Sequence, residues 1–274
     1  MTEKRNNKDV DSTTEFKKLS IQISLNGLSF CVVDTLDNTV IESKSVRFKI
    51  ALNPIQLQKE LKQLLETNKI HTATFSEVLV IHRNNLYCLV PKSLFKEENI
   101  RDYLKYNAKI LTGDLIVFDE IDNFDMVNVY VPLVNINNYV YELFGEFTYK
   151  HSATIIVPSL LNNKSKDTVC YVHTDGNQMD ITLTNNKKLL LFNSFDYSST
   201  DDFMYYLLFT LEQLELDNEI VKLRLFGEVE EESELYKECH KHIKNVSIYV
   251  PDNNNFHFTD NTKDSIDFTV LSSL

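Results

Sequence analysis

Glycine is scarce in this 274-residue chain: there are five, where average usage would give roughly 19. Phosphate cradles rich in glycine need several neighbouring positions with positive φ or with no side chain in the way. Gly27, Gly113, Gly145, Gly176 and Gly227 stand too far apart to build a G-x-x-x-x-G-K-S/T or a G-x-G-x-x-G run. That excludes a P-loop NTPase and an ordinary dinucleotide-binding enzyme. Long apolar runs are also missing, and none approaches the 18 or so residues of a membrane helix. The first 18 residues are polar and lack the apolar centre of a signal peptide. A cytoplasmic protein without a membrane span is the expectation. Basic residues are in deficit, with 28 Lys and Arg against 40 Asp and Glu and a net charge of −12. That is the wrong sign for a general nucleic-acid binder. Cysteines are few as well. Cys31, Cys88, Cys170 and Cys239 are widely separated and three lie in apolar runs, which reads as reduced, buried thiols in a reducing compartment.

What is present suffices for a real core, since 43% of residues are hydrophobic and 25% charged. The length fits one large or two small domains. Residues 19–25 and 28–34 alternate around Asn26-Gly27, the strongest short hairpin signal, and 39–50 continues the meander. Asn53-Pro54 with Gln56 opens a helix through a capping box, with Ile55, Leu61, Leu64 and Leu65 as its apolar face. Val78 to Ile81 reads as a buried strand, and 87–90 as another. A helix over 96–111 follows, with Ile100, Leu104, Ala108 and Leu111 on one face. Paired strands over 115–121 and 126–131, a helix over 135–147 and a strand over 153–157 complete the first half.

The opening order then recurs. Strands over 168–174, 178–184 and 188–195 turn at Asp175-Gly176 and Asn185-Asn186. Ser199-Thr200-Asp201-Asp202 starts a helix over 203–214 whose apolar residues predict burial between layers. A strand over 220–226, a helix over 231–241 and a strand over 246–250 follow. Gly27 and Gly176 are 149 residues apart, Pro54 and Asp201 147, Val78 and Ile220 142. The order of elements is duplicated even though the residues are not. The predicted organisation is a tail at 1–18, a first α/β lobe at 19–157, a second at 158–251 and a polar C-terminal tail at 252–274. The apolar end, Phe268 to Leu271, is expected either to dock as an added strand or to stay free.

A doubled meander–helix–strand–helix unit resembles the actin-like ATPase superfamily, built from two ribonuclease H-like lobes. The chain is also similar to an uncharacterised family of Bacteroidetes-type bacterial proteins placed there, chiefly through Phe195-Asp196-Tyr197 and the stretch Asp201 to Phe209. The resemblance covers about residues 19–250. It implies a nucleotide site in which each first hairpin carries an acid and glycines, holding phosphates and water-coordinated magnesium. Here no acid lies between Leu19 and Val33, and Gln22 and Ser24 stand where one is expected; only Gly27 marks the turn. In the second hairpin two matches stay open. If Gly176 is aligned, the acid position falls on His173; if Asp175 is the acid, the glycine arrives one residue early. The adenine-side loop reads Leu225-Phe226-Gly227-Glu228, with a carboxylate in place of one glycine.

Gly27, His173, Asp175, Gly176, Asp180 and Gly227 are therefore the candidate nucleotide-cleft residues, to be used only if the degenerate cleft is used at all. No catalytic residue, metal ligand or resident cofactor is assigned. The reading is a non-catalytic actin-like scaffold that binds a protein partner, set against a divergent ATPase or phosphotransferase in which His173, Asp175 and Asp180 work. His173, Asp175 and Asp180 could otherwise suggest nuclease chemistry, but that needs carboxylates on adjacent strands, which the first strands of both halves do not supply. Cys239, His240 and His242 do not share one face and have no nearby second pair of ligands, so they read as an exposed helix with one buried thiol. The five glutamates between Glu228 and Glu234 read as a solvated helix start. Tyr139, Tyr141, Tyr149, Tyr197 and Tyr205 are candidates for a protein-facing surface.

Overall fold

The computed structural model describes residues 16–121, 123–162, 165–250, 256–258 and 267–273. A meander of β1 (Lys17–Ser24), β2 (Gly27–Asp34) and β3 (Thr39–Arg47) opens the chain. Helix α1 (Pro54–Thr67) crosses over to β4 (Glu77–His82), which lies parallel to β1. A small antiparallel sheet follows, made of β5 (Tyr87–Pro91), β6 (Val117–Ile121) and β7 (Met126–Tyr130), with α2 (Ile100–Leu104) packed on it. Helix α3 (Val134–Phe144) leads to β8 (Thr148–His151), parallel to β4, and then to α4 (Ser152–Leu161).

The second half repeats the plan. Its meander is β9 (Val169–Asp175), β10 (Gln178–Asn185) and β11 (Lys188–Asp196). Helix α5 (Thr200–Gln213) crosses to β12 (Lys222–Gly227), parallel to β9, and α6 (Glu234–His242) leads to β13 (Asn245–Ile248). The last pieces, β14 (His257–Phe258) and α7 (Phe268–Ser272), return to the first half. The sheet orders are β14-β3-β2-β1-β4-β8 and β11-β10-β9-β12-β13. Leaving β14 aside, they are the same order built twice, and the two meanders lie in separate sheets.

The local signals explain the elements. Asn53 and Gln56 exchange the two bonds of a capping box at α1, and the Ser199 hydroxyl accepts from the Asp202 amide at α5. Helices α1 and α3 cover one face of the first sheet through Leu57, Leu61, Leu65, Ile136 and Val140. Phe203, Leu207 and Leu211 of α5 cover the equivalent face of the second. Helix α4 lies between the sheets: Ile155 joins the cluster around Cys31 and Ile81, while Ile156 and Leu160 join Tyr171 and Phe226. Among the described residues no helix is long and apolar enough to cross a membrane.

Several expectations are corrected. Residues 153–157 are helical, because a short apolar run fits a helix buried on both sides as well as a strand; the His151 ring nitrogen accepts from the Ala153 amide and caps it. The predicted boundary at 157 and 158 thus falls inside α4. The helix predicted over 96–111 shrinks to α2. Arg101 donates to the carbonyls of Leu111 and Asp114, and the Asp114 carboxylate accepts from the Leu111 amide, so side chains draw this backbone into loops. Ile55 is 81% exposed and Leu57 takes its place in the core. Helix α5 is not buried all round, since Tyr205 and Phe209 stack on its outer side and Leu214 is only partly covered. Of the predicted tails, Lys17 and Lys18 belong to β1 and pair with Asp34 and Val33, while residues 1–15 lie outside the described residues. At the other end 252–255, 259–266 and 274 also lie outside them. The apolar end docks as a helix, not a strand, with Asp267 capping it and Val270 in the core cluster of Cys31.

Candidate functional site

The two hairpins face each other across the lobes, and the space between them is a polar cavity of about 150 Å³. Gln22, Ser24, Gly27 and Ser29 form its first-lobe wall; His173, Asp175, Gly227 and Glu228 form the opposite one. Cavities that take drug-sized ligands measure about 300–1,000 Å³, so this one is small. The glycines among the candidates serve the backbone. A Cβ on Gly27 would lie 2.9 Å from the Val46 carbonyl oxygen, so the residue permits the close pairing of β2 with β3. Gly227 has φ +91° and a Cβ there would run into the Thr174 carbonyl oxygen; it permits β12 to approach β9. Gly176, at φ +61°, makes the turn between β9 and β10.

Two arginines that the sequence reading missed fill the cleft. Arg83 follows β4, with its amide bonded to the Ile23 carbonyl at 2.9 Å. Its buried guanidinium reaches across to the other lobe, donating to Asp175 and, at 2.8 Å, to Asp180. Arg47, at the end of β3, pairs with Asp175 and, through Nε at 2.9 Å, with Glu228. Glu228 also accepts from the Gly176 amide at 2.8 Å. It is therefore a bridge between lobes and no part of a helix start, since α6 begins six residues later.

Asp180 lies beneath the cavity wall and is fully enclosed. Ser194 donates to it at 2.6 Å, and His173 Nδ1 lies 3.4 Å away with its ring stacked on Phe226. Burial alone would push the Asp180 carboxyl up, but the Arg83 guanidinium, with His173 and Ser194, outweighs it and holds it at about 2. Asp267 lines the same cavity. Burial pushes its carboxyl up, yet the charges of His173, Arg83 and Arg47 bring it below the ordinary value.

The geometry brings together all six candidates, with the carboxylates of Asp175, Asp180 and Glu228 held by the two arginines, while Gln22 Oε1, Ser29 Oγ and Arg83 Nε are buried with no hydrogen-bond partner among the described residues. Four carboxylates (Asp175, Asp180, Asp267, Glu228) outnumber two guanidiniums, a surplus that opposes a polyanion. The hairpin amide that could cradle a phosphate is taken by Glu228. Among the described residues no group of three or more His, Cys, Asp or Glu is placed to hold a metal ion. Cys239 is buried while His240 and His242 are exposed. Of the tyrosines expected at a surface, Tyr141 and Tyr205 are exposed, Tyr149 and Tyr197 are partly covered, and Tyr139 is buried.

Two meander-led lobes of identical strand order, closed on a cleft between their hairpins, are the arrangement of the actin-like ATPase fold. A Bacteroides thetaiotaomicron protein described as having that fold and unknown function is similar to this chain over 97% of its length and 99% of the other, at 21% identity and a TM-score of 0.78. The PilM–PilN type IV pilus biogenesis complex holds a chain that is similar over 93% of this one and 96% of the other, at 14% identity and a TM-score of 0.64. Residues 5–246 match the DUF3822 family, a protein family of unknown function, and the chain belongs to it. A comparison with curated proteins finds no significant match.

Proposed function

We propose that this protein is a non-catalytic member of the actin-like fold, a cytoplasmic scaffold that presents its surface to a protein partner. The observation that carries the reading is the buried Arg83 guanidinium, clasped by Asp175 and Asp180 where the fold would place phosphates. A nucleotide entering there has to break that pair, and breaking a buried pair costs about 3–5 kcal/mol. It also has to bring its own negative charge against the surplus of carboxylates. Support comes from the PilM–PilN type IV pilus biogenesis complex, in which a chain of similar fold stands in a complex with another protein. Titration calorimetry with ATP and magnesium on the full chain is the test. Affinity no better than millimolar, about −4 kcal/mol, is expected. A low-micromolar dissociation constant weakened by Asp180→Ala or His173→Ala would overturn the scaffold reading and favour a divergent ATPase or phosphotransferase in its place.

A further inference from the structure

The larger cavity lies elsewhere. It measures about 560 Å³ and runs between β5 and β11, two strands that each end a sheet. Its lining contains no formally charged side chain. One end is shut, because the Tyr87 hydroxyl lies 3.0 Å from the Ser194 hydroxyl and Asn85 donates to Asp196. The other end opens between Pro91 and Leu190, and Leu190 is 46% exposed.

The ladders leave backbone groups facing into this groove. Tyr197 donates to the Asn177 carbonyl, so by alternation Phe195, Asn193 and Leu191 bond to β10 while Phe192 turns its N–H and C=O outward. Val131 donates to the Leu86 carbonyl, so Leu89 of β5 turns outward in the same way. Pro91 brings no N–H to the β5 edge. The β11 edge is nine residues long and has no proline; Lys188, a bulge at Leu190 and the Asn193 side chain on the Ser194 amide protect parts of it and leave Phe192 open to strand pairing.

Lysines border the groove in sequence. Lys187 and Lys188 precede Leu189 of the lining, and Lys105 and Lys109 flank Asn107. All four are exposed, and none has an acidic partner within 4.0 Å among the described residues. Four unpaired lysines beside one groove, in a chain of net charge −12, select an anionic neighbour.

We infer that the β5–β11 groove takes an extended peptide of a partner protein, added as a strand to the free edge of β11. Its alternate apolar residues lie against Leu189 and Phe192, which share one face of the sheet, and its acidic end lies at the lysines. The inference supplies the partner surface of the scaffold reading and rests on it.

Cys88 lines this groove and is only half-buried, whereas Cys31, Cys170 and Cys239 are buried, so maleimide labelling of the full chain reports the groove. The probe is an eight-residue peptide with valine at alternate positions and two glutamates at one end; a control carries two lysines in their place. The glutamate probe should slow labelling of Cys88 and bind, by fluorescence anisotropy, at least about tenfold more tightly than the control. Leu190→Glu should abolish binding, and Lys187→Glu with Lys188→Glu should reverse the preference. These side chains are exposed, and an unchanged thermal midpoint certifies that the variants are folded. Unprotected Cys88, equal binding of the two probes, or a dimer by light scattering that Leu190→Glu dissolves would each overturn the inference, the last by giving the edge to a second copy. Tight ATP binding would defeat the scaffold reading while leaving the peptide result standing, so the two failures are separable.

Discussion

Replacing Arg83 by methionine removes a guanidinium from between two buried carboxylates and keeps most of the side-chain volume. In the native protein Asp180 sits at about 2 instead of 3.8. Its charged form is therefore favoured by folding, which contributes about 2 kcal/mol at neutral pH, present above the unfolded value and lost as pH falls from about 4 to about 2. Arg83→Met reverses the sign. Burial now dominates, the carboxyl rises above its unfolded value, and the charged form opposes folding until pH drops below the raised value. At about pH 7.5 the variant should lose about 3–5 kcal/mol, a large share of the 5–15 kcal/mol that holds a typical protein together. Urea denaturation of both proteins from about pH 7.5 to about pH 5 should show this gap narrowing. Asp267, which the Arg83 charge also brings below its ordinary value, should shift in the same direction and add to the difference. Arg83→Met combined with Asp180→Asn should recover part of the loss at neutral pH. A gap below about 0.5 kcal/mol, or one that stays constant with pH, would refute the claim that Arg83 holds the buried Asp180 in its charged form.

Acid should weaken the native protein through two other groups. His82 donates to Asn137 and accepts from the Leu133 amide; His151 donates to the Asn84 carbonyl and accepts from the Ala153 amide. Burial pushes them from 6.5 down to about 4 and about 3. The unfolded chain thus takes up protons that the folded one refuses, so stability present above 6.5 is lost as pH falls, about 2 kcal/mol per histidine at about pH 5. Urea midpoints at the two ends of that interval check it, and equal midpoints would contradict it. Leu207→Ala, at the buried centre of α5, should cost about 2–5 kcal/mol, and an unchanged denaturation midpoint would mean that the helix is peripheral.

The duplicated order was legible because it rests on local signals. Asn26-Gly27, the capping box at Asn53 and the Ser199 cap each act within a few residues, and their spacing repeats. The cleft was legible in part: the resemblance pointed to His173, Asp175 and Asp180 through their place at the second hairpin, and the structure sets all three at the cleft. Arg47 and Arg83 were not, since Arg83 meets its partners 92 and 97 residues away and Arg47 meets Glu228 at 181. No periodicity reaches so far. A weak signal existed: the chain has five arginines against 23 lysines, and two of the five close the strands β3 and β4. Burial at a strand end selects a guanidinium, which forks to two carboxylates, over a strongly hydrated ammonium. Helix α4 was misread because its apolar residues serve two cores at once, which erases the one-sided pattern that marks a helix.

That sharing has a mechanical consequence. Ile155 belongs to the packing of one sheet, and Ile156 and Leu160 to that of the other, so a single helical turn is anchored on both sides. Hinge motion between lobes ordinarily runs through a short, solvated connection that can absorb changes in φ and ψ. Here a buried apolar helix lies between the sheets, and rocking one lobe against the other would drag Ile156 out of one socket to keep Ile155 in its own. The two halves are therefore expected to move as one block, and loss of either core should strip its side of α4 and loosen the other half with it.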